Sequence, residues 1–124
     1  MKWLLLFVGG GLGACLRFAL AAWVDMRAPV TFPWGTLAVN AVGCFAIGLL
    51  ATFADEHHLL SAGARLFLVA GILGGFTTFS TFGLETWTLV EDGAFRLAVA
   101  NAIGSVVVGL VAVIAGVVIA RQLG

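Results

Sequence analysis

The chain has 124 residues, of which 62% are hydrophobic and only 10% charged, and its formal net charge is zero. A soluble domain of this length is usually about half apolar and a quarter charged, so too little polar surface remains here to face water. The composition points to a single integral membrane domain over residues 1–124, and the balanced charge gives no reason to expect nucleic acid or an acidic partner.

The first apolar run covers about residues 3–24. It opens MKWLLLFVGGGLGAC, a lysine followed by an apolar stretch and small residues, which has the look of a secretory leader ending at Cys15. The apolar run continues past Cys15 and three more follow, so the expectation is a membrane helix and not a cleaved leader. Cys15 and Cys44 both lie in apolar stretches without metal or redox spacing and are read as small buried side chains. The first connection carries Asp25, Arg27, Pro29 and Pro33, and the second run covers about residues 34–53. The second connection holds Asp55, Glu56, His57, His58 and Arg65; the histidine pair has no third ligand and reads as solvated. The third run covers about residues 64–90. After Glu91, Asp92, Gly93 and Arg96 in and beside the last connection, the fourth covers about 95–120. Each run is long enough for a helix across a core of roughly 30 Å. Helices are required because every backbone group must be satisfied within its segment.

Charges in the connections set orientation. Lys2, Arg65 and Arg121 fall on one side, Arg27 and Arg96 on the other, and Arg17 can snorkel toward that second side. The tally is nearly even. One consequence is insertion in both directions, with two copies pairing antiparallel about a two-fold axis in the membrane plane. The other is a small protein oriented by a weak bias and further factors. An echo is also visible: NAVGCFAIG (40–48) in the second run and NAIGSVVVG (101–109) in the fourth place an Asn before a stripe of small residues. It is read as two helices with similar packing needs.

Polar groups at membrane depth are costly and so carry the functional reading. They are Arg17, Thr36, Asn40, Thr77, Thr78, Ser80, Thr81, Glu85, Asn101 and Ser105. No nucleophile sits beside a base, and there are no paired carboxylates or metal cluster, so an enzyme is not expected. Hydroxyls and amides donate hydrogen bonds, and phenylalanine edges carry partial positive charge. Together they can replace an anion's water shell without a full positive charge that would trap it. Residues 74–83, GGFTTFSTFG, concentrate these groups. Gly74 and Gly75 each lower helix propensity by about 1 kcal/mol; a break there would release carbonyls able to bind a cation. The alternative is that the glycines allow close packing, the hydroxyls bond back to the helix and the rings face lipid.

GGFTTFSTF followed by Glu85, together with WGTLAVNAVG (34–43) and GGGLGACLRF (9–18), closely resembles the Fluc (CrcB) fluoride channels, and the likeness runs through all four spans. The resemblance implies an antiparallel, dual-topology homodimer in the lipid of a bacterial inner membrane, with two pores that passively export cytoplasmic fluoride and select against chloride. It implies four transmembrane helices with the third broken near its centre, where carbonyls of Gly74 and Thr77 from both subunits hold a structural sodium ion. It assigns Phe79 and Phe82 to the pore walls and Asn40 to the pore asparagine. A polar track follows over Ser80, Thr81, Glu85 and Ser105, and Arg17 lies near the vestibule. The fourth span departs from the pattern: the chain has no tyrosine, Asn101 stands nearest the usual tyrosine, and Gly109 replaces a second serine. A small multidrug-type exporter would need an acidic residue inside the first span, and none is there. A structural subunit would need no polar track. A proton-coupled fluoride carrier would rely on Glu85 alone.

Overall fold

Backbone amides in hydrocarbon must find partners inside their own segment, and the four apolar runs do so as helices. In the computed structural model, which describes residues 1–124, α1 is Lys2–Asp25 and α2 is Trp34–Asp55. The third span is composite. A short α3 (Ala62–Arg65) leads into a wider helical stretch with i to i+5 bonding over Leu66–Leu73, then α4 (Gly74–Phe76) and α5 (Phe79–Glu91). The last helix, α6, is Phe95–Leu123. Lys2–Asp25, Trp34–Asp55, Ala62–Glu91 and Phe95–Leu123 are each long and apolar enough to cross a membrane, so the chain is an all-helical multi-pass membrane protein. The expected ends lie within three residues of these.

The connections are closed by local chemistry. Arg27 donates from Nη1 to the Trp23 carbonyl at 3.0 Å and lies over the Trp23 ring, 4.3 Å from its centroid. Its charge thus sits at the carbonyl end of α1, where a cation is favoured. Asp25 accepts from the Gly35 N–H at 2.8 Å and satisfies an orphan amide in the first turn of α2. Ser61 caps α3 by accepting from Ala64 N–H. Beyond α5, Gly93 takes φ +76°, the left-handed conformation that lets a helix end without a Cβ clash.

Only 17 of 124 residues are buried, so what fills the interior is informative. Seven are glycines: Gly9, Gly13, Gly35, Gly43, Gly48, Gly71 and Gly116. Four are polar: Thr36, Thr52, Thr78 and Asn101. Large apolar side chains such as Trp3, Phe7, Phe18, Leu110 and Ile114 point outward. This arrangement suits an apolar solvent: small residues let backbones approach, and polar groups pair across helices.

Two tight helix pairs result. α1 packs on the first half of the third span, where a Cβ on Gly13 would come within 2.0 Å of the Ile72 carbonyl oxygen. α2 packs on α6, where a Cβ on Gly116 would stand 2.2 Å from the Phe45 carbonyl oxygen. Any side chain at either glycine would force the backbones apart. The groups that differ most from ordinary helix packing lie between these pairs, around residues 76–82.

Candidate pore site

Residues 77 and 78 leave the helical path. Thr77 has φ −81° and ψ 153°, and Thr78 has φ −146° and ψ 121°, both extended, between the end of α4 and the start of α5. Gly74 and Gly75, where the sequence placed the backbone weakness, are helical. Gly75 instead serves packing: a Cβ there would sit 2.3 Å from the Gly10 carbonyl oxygen. The extended residues are β-branched threonines, whose side chains favour such a backbone.

Extended backbone at membrane depth needs partners, and α2 supplies them. Asn40 accepts from the Thr78 N–H at 2.9 Å and donates from Nδ2 to the Thr78 carbonyl at 2.9 Å. One amide therefore satisfies both backbone groups of one residue. Gly43, one turn on, makes room for Thr77: a Cβ there would lie 2.1 Å from Thr77 Cγ2. Thr77 donates from Oγ1 to the Leu73 carbonyl, while Thr78 Oγ1 accepts from Thr81 N–H at 3.2 Å and caps α5. These bonds have a further effect. In a continuous helix the Thr78 N–H would bond the Gly74 carbonyl and the Thr81 N–H the Thr77 carbonyl. Both amides are diverted, so both carbonyls lose their usual donors.

A groove of about 430 Å³ opens beside this segment. Asn40, Gly43, Gly74, Thr77, Thr78, Phe79, Phe82 and Ser105 lie along it, with Cys44, Ile47, Val69, Leu73 and Val106 as apolar wall. The Phe79 and Phe82 rings stand 5.5 Å apart and tilted by 43°. Phe79 is 83% exposed on the single chain. The N-terminal turn of α5 begins here, with its amides and positive dipole end. Asn40 spends one Nδ2 hydrogen on Thr78 and keeps a second. These features together offer an anion partial positive charge from several directions and no full charge.

The remaining sequence-predicted residues lie elsewhere. Ser80 and Thr81 follow in the first turn of α5, joined to the Thr78 hydroxyl at 3.4 and 3.1 Å. They do not line the groove. Arg17 is half-buried on α1, away from the groove lining, and forms no hydrogen bond or ion pair. Glu85 lines a different groove, of about 530 Å³, with Asp25, Asp92, Thr31 and Thr88. Its Oε1 accepts from Thr36 Oγ1 at 2.8 Å, and its Oε2 is buried without a partner. Asn101 is 1% exposed and bonds Thr86 and Ser105. Sequence reasoning missed Thr86 and Gly43. Thr86 carries no motif signal, and Gly43 is one of 17 glycines, so only its place one turn beyond Asn40 could have marked it.

Comparison with known proteins places the sequence among relatives. A family model described as CrcB-like protein, Camphor Resistance (CrcB), matches residues 4–117. A protein of Geobacter sulfurreducens named fluoride-specific ion channel FluC is 50% identical over 116 residues, covering 94% of each chain. One of the same name from Solibacter usitatus is 45% identical over 122 residues, 98% of this chain and 100% of its own. Another from Chloroflexus aurantiacus is 45% identical over 117 residues, 94% of this chain and 93% of its own. A match of this extent and identity places the chain in the CrcB family.

Proposed function

We propose that the chain is a fluoride-selective channel that passively carries fluoride out of a bacterial cytoplasm. Its relatives bear the name of a fluoride channel, not of an enzyme. The observation that carries the reading is the groove in which Asn40, the Phe79 and Phe82 edges, Ser105 and the first turn of α5 converge at membrane depth. A small charge-dense anion loses water there and gains amide and hydroxyl donors and ring edges in exchange. Because none of these groups is a full cation, the anion can also leave. Arg17 is read as drawing fluoride toward the vestibule, and Ser80, Thr81 and Glu85 as continuing the polar path beyond the groove.

The same reading makes the third span a broken helix and the working unit an antiparallel, dual-topology homodimer in the inner membrane. The extended backbone at Thr77 and Thr78 supports the break. The near-even charge tally and the exposure of Gly74 and Phe79 support a partner on that face. A structural sodium ion fits the residues present. The Gly74 and Thr77 carbonyls have lost their helical donors, and neutral oxygens suit a hard monovalent cation. A second copy would supply the same two oxygens again. Such an ion would add fixed positive potential near the pores.

Fluoride efflux from liposomes holding purified protein, read with a fluoride electrode, tests the assignment. We expect efflux well above that of empty liposomes, with chloride efflux far smaller; fluoride efflux equal to the empty control would refute it. Phe79→Ile and Phe82→Ile should each cut fluoride flux while the dimer persists on size exclusion. Exchanging sodium for a bulky organic cation should loosen the dimer. The buried, unpartnered Glu85 Oε2 favours one rival, a proton-coupled carrier. Fluoride efflux that follows an imposed pH gradient, and stops in Glu85→Gln, would select that rival.

A further inference from the structure

The peptide that joins Thr77 to Thr78 is held from α2 at two points, about one turn apart. Its N–H donates to Asn40 Oδ1 at 2.9 Å. Just before it, the Thr77 methyl fills the space at Gly43, where a Cβ would lie 2.1 Å from Thr77 Cγ2. Asn40 and Gly43 are three residues apart and so share one face of α2. The Thr77 hydroxyl adds little to this hold. It donates to the Leu73 carbonyl at 3.0 Å, which already accepts from the Thr77 N–H at 3.0 Å.

Both grips act on a carbonyl that Asn40 does not itself bond. Rotation about the Cα–C bond of Thr77 swings the Thr77 oxygen and the Thr78 N–H together, because the peptide is planar. No peptide in the chain is cis, so this N–H and C=O point in opposite directions. With the N–H turned to Asn40, the Thr77 oxygen points away from α2. It accepts from no backbone N–H.

We propose that Asn40, besides lining the groove, is a positioning residue for the central cation, and that Gly43 assists it. The inference rests on the reading above, in which the Gly74 and Thr77 carbonyls of two copies hold a sodium ion. Asn40 aims the Thr77 oxygen by holding its peptide from the opposite side. It also keeps the Thr78 N–H from closing on the Gly74 carbonyl, as it would in an unbroken helix, so that oxygen stays free as well. One amide thus serves both ions. Its remaining Nδ2 hydrogen faces the anion, and its hold on Thr78 presents two backbone oxygens to the cation.

Thermal unfolding of the purified protein in detergent tests this, with sodium replacing a bulky organic cation at constant ionic strength. The sodium concentration at which stability begins to rise reports affinity, separately from the stability without sodium. We expect that onset to move up roughly five- to thirtyfold in Asn40→Leu, the effect of leaving one backbone residue for the ion to order. Asn101→Leu removes a buried amide that bonds Thr86 and Ser105 and not residues 77 or 78. It should lower stability and leave the onset where it is, which separates aiming of the carbonyl from packing alone. Thr77→Ser keeps the hydroxyl and empties the space at Gly43, whereas Thr77→Val keeps the methyl and loses the hydroxyl. Serine should raise the onset more than valine, and this pair decides the matter if Asn40→Leu fails to fold. The inference is overturned by an onset unmoved in Asn40→Leu, moved equally in Asn101→Leu, or moved no less by Thr77→Val than by Thr77→Ser; the cation site itself would stand. Wild-type protein equally stable in either cation would instead remove that site, and the inference with it.

Discussion

Asn40 and Asn101 open nearly the same local sequence, yet they serve different masters. Asn40 spends its amide on the backbone of Thr78, one bond to the N–H and one to the carbonyl. Asn101 spends its amide on two side chains, Thr86 and Ser105. The glycines that follow diverge in parallel. A Cβ on Gly43 would strike Thr77, whereas one on Gly104 would meet nothing within 4 Å. The later glycines, Gly48 and Gly109, both face the α2–α6 seam, but a Cβ would strike the Val113 carbonyl oxygen at Gly48 and would only touch Cys44 Sγ, at 3.4 Å, at Gly109. The close approach of the two helices rests on Gly48 and on Gly116, which lies beyond the repeated stretch, so the echo fixes neither the seam nor the role of each Asn. What each Asn does depends on the element opposite: an extended segment for one, a regular helix for the other.

The largest test of that contrast is removal of each amide. Asn40→Leu strands a buried N–H and a buried carbonyl, at about 1–3 kcal/mol for each group left unmade. Asn101→Leu strands no backbone group, because Thr86 keeps the Phe82 carbonyl. We expect Asn40→Leu to lower the thermal unfolding midpoint in detergent much further than Asn101→Leu, and to abolish fluoride flux. Equal losses would show that both asparagines are simply packed polar groups. The paired glycines sharpen the point. Gly43→Ala should cost about 1–3 kcal/mol by overpacking Thr77. Gly104→Ala should be neutral or gain up to about 1 kcal/mol from helix propensity. Unfolding of the two variants in parallel decides between them.

The same contrast explains what was legible in the sequence. The four spans were readable because hydropathy and length depend on each segment alone, and their ends moved by no more than three residues. The sequence marks positions 74–75 because glycine weakens any helix, but the extended residues are Thr77 and Thr78. Their departure depends on Asn40 reaching across from α2 and on the space left at Gly43, which are relations between segments. The wider turn at Leu66–Leu73 has no local signal at all in LFLVAGIL. Asn101 stands out in the sequence as a departure in the fourth span, but its partner Thr86 lies on α5 and shares no motif with it. Asn40, Phe79, Phe82 and Ser105 meet at one groove, whereas Arg17 and Glu85 stand apart from it.

A smaller effect should come from the Thr78 hydroxyl, which belongs to the Asn40 side of the comparison. It caps α5 and bonds Thr81 Oγ1. Thr78→Ala should cost about 1 kcal/mol, the usual worth of an N-cap, while Thr78→Ser should retain most of it. If Thr78→Ala proved as damaging as Asn40→Leu, the cap and not the amide would be what sustains the extended segment.

The smallest effect lies outside the membrane, where the two helices carrying the asparagines are tied together. Glu56, just past the end of α2, pairs with Arg121 near the end of α6; Arg121 Nε donates to Glu56 Oε2 at 2.9 Å. The bond from Arg121 holds the Glu56 carboxyl below the usual glutamate range, and His57 adds to this. A lowered folded value means the pair contributes fully above the ordinary glutamate value of about 4.3. Its contribution fades as pH falls below that and through the folded value. Both partners are exposed, so salt screens them and the contribution is slight. Unfolding of wild type and Glu56→Gln should therefore be nearly superimposable at neutral pH in 0.15 M salt. Any difference should appear at low salt and shrink on acidification to pH 3. A large neutral-pH loss in Glu56→Gln would mean that the α2–α6 seam depends on its charged end. The glycine contacts at Gly48 and Gly116 would then not suffice to set the register that brings Asn40 and Ser105 to one groove.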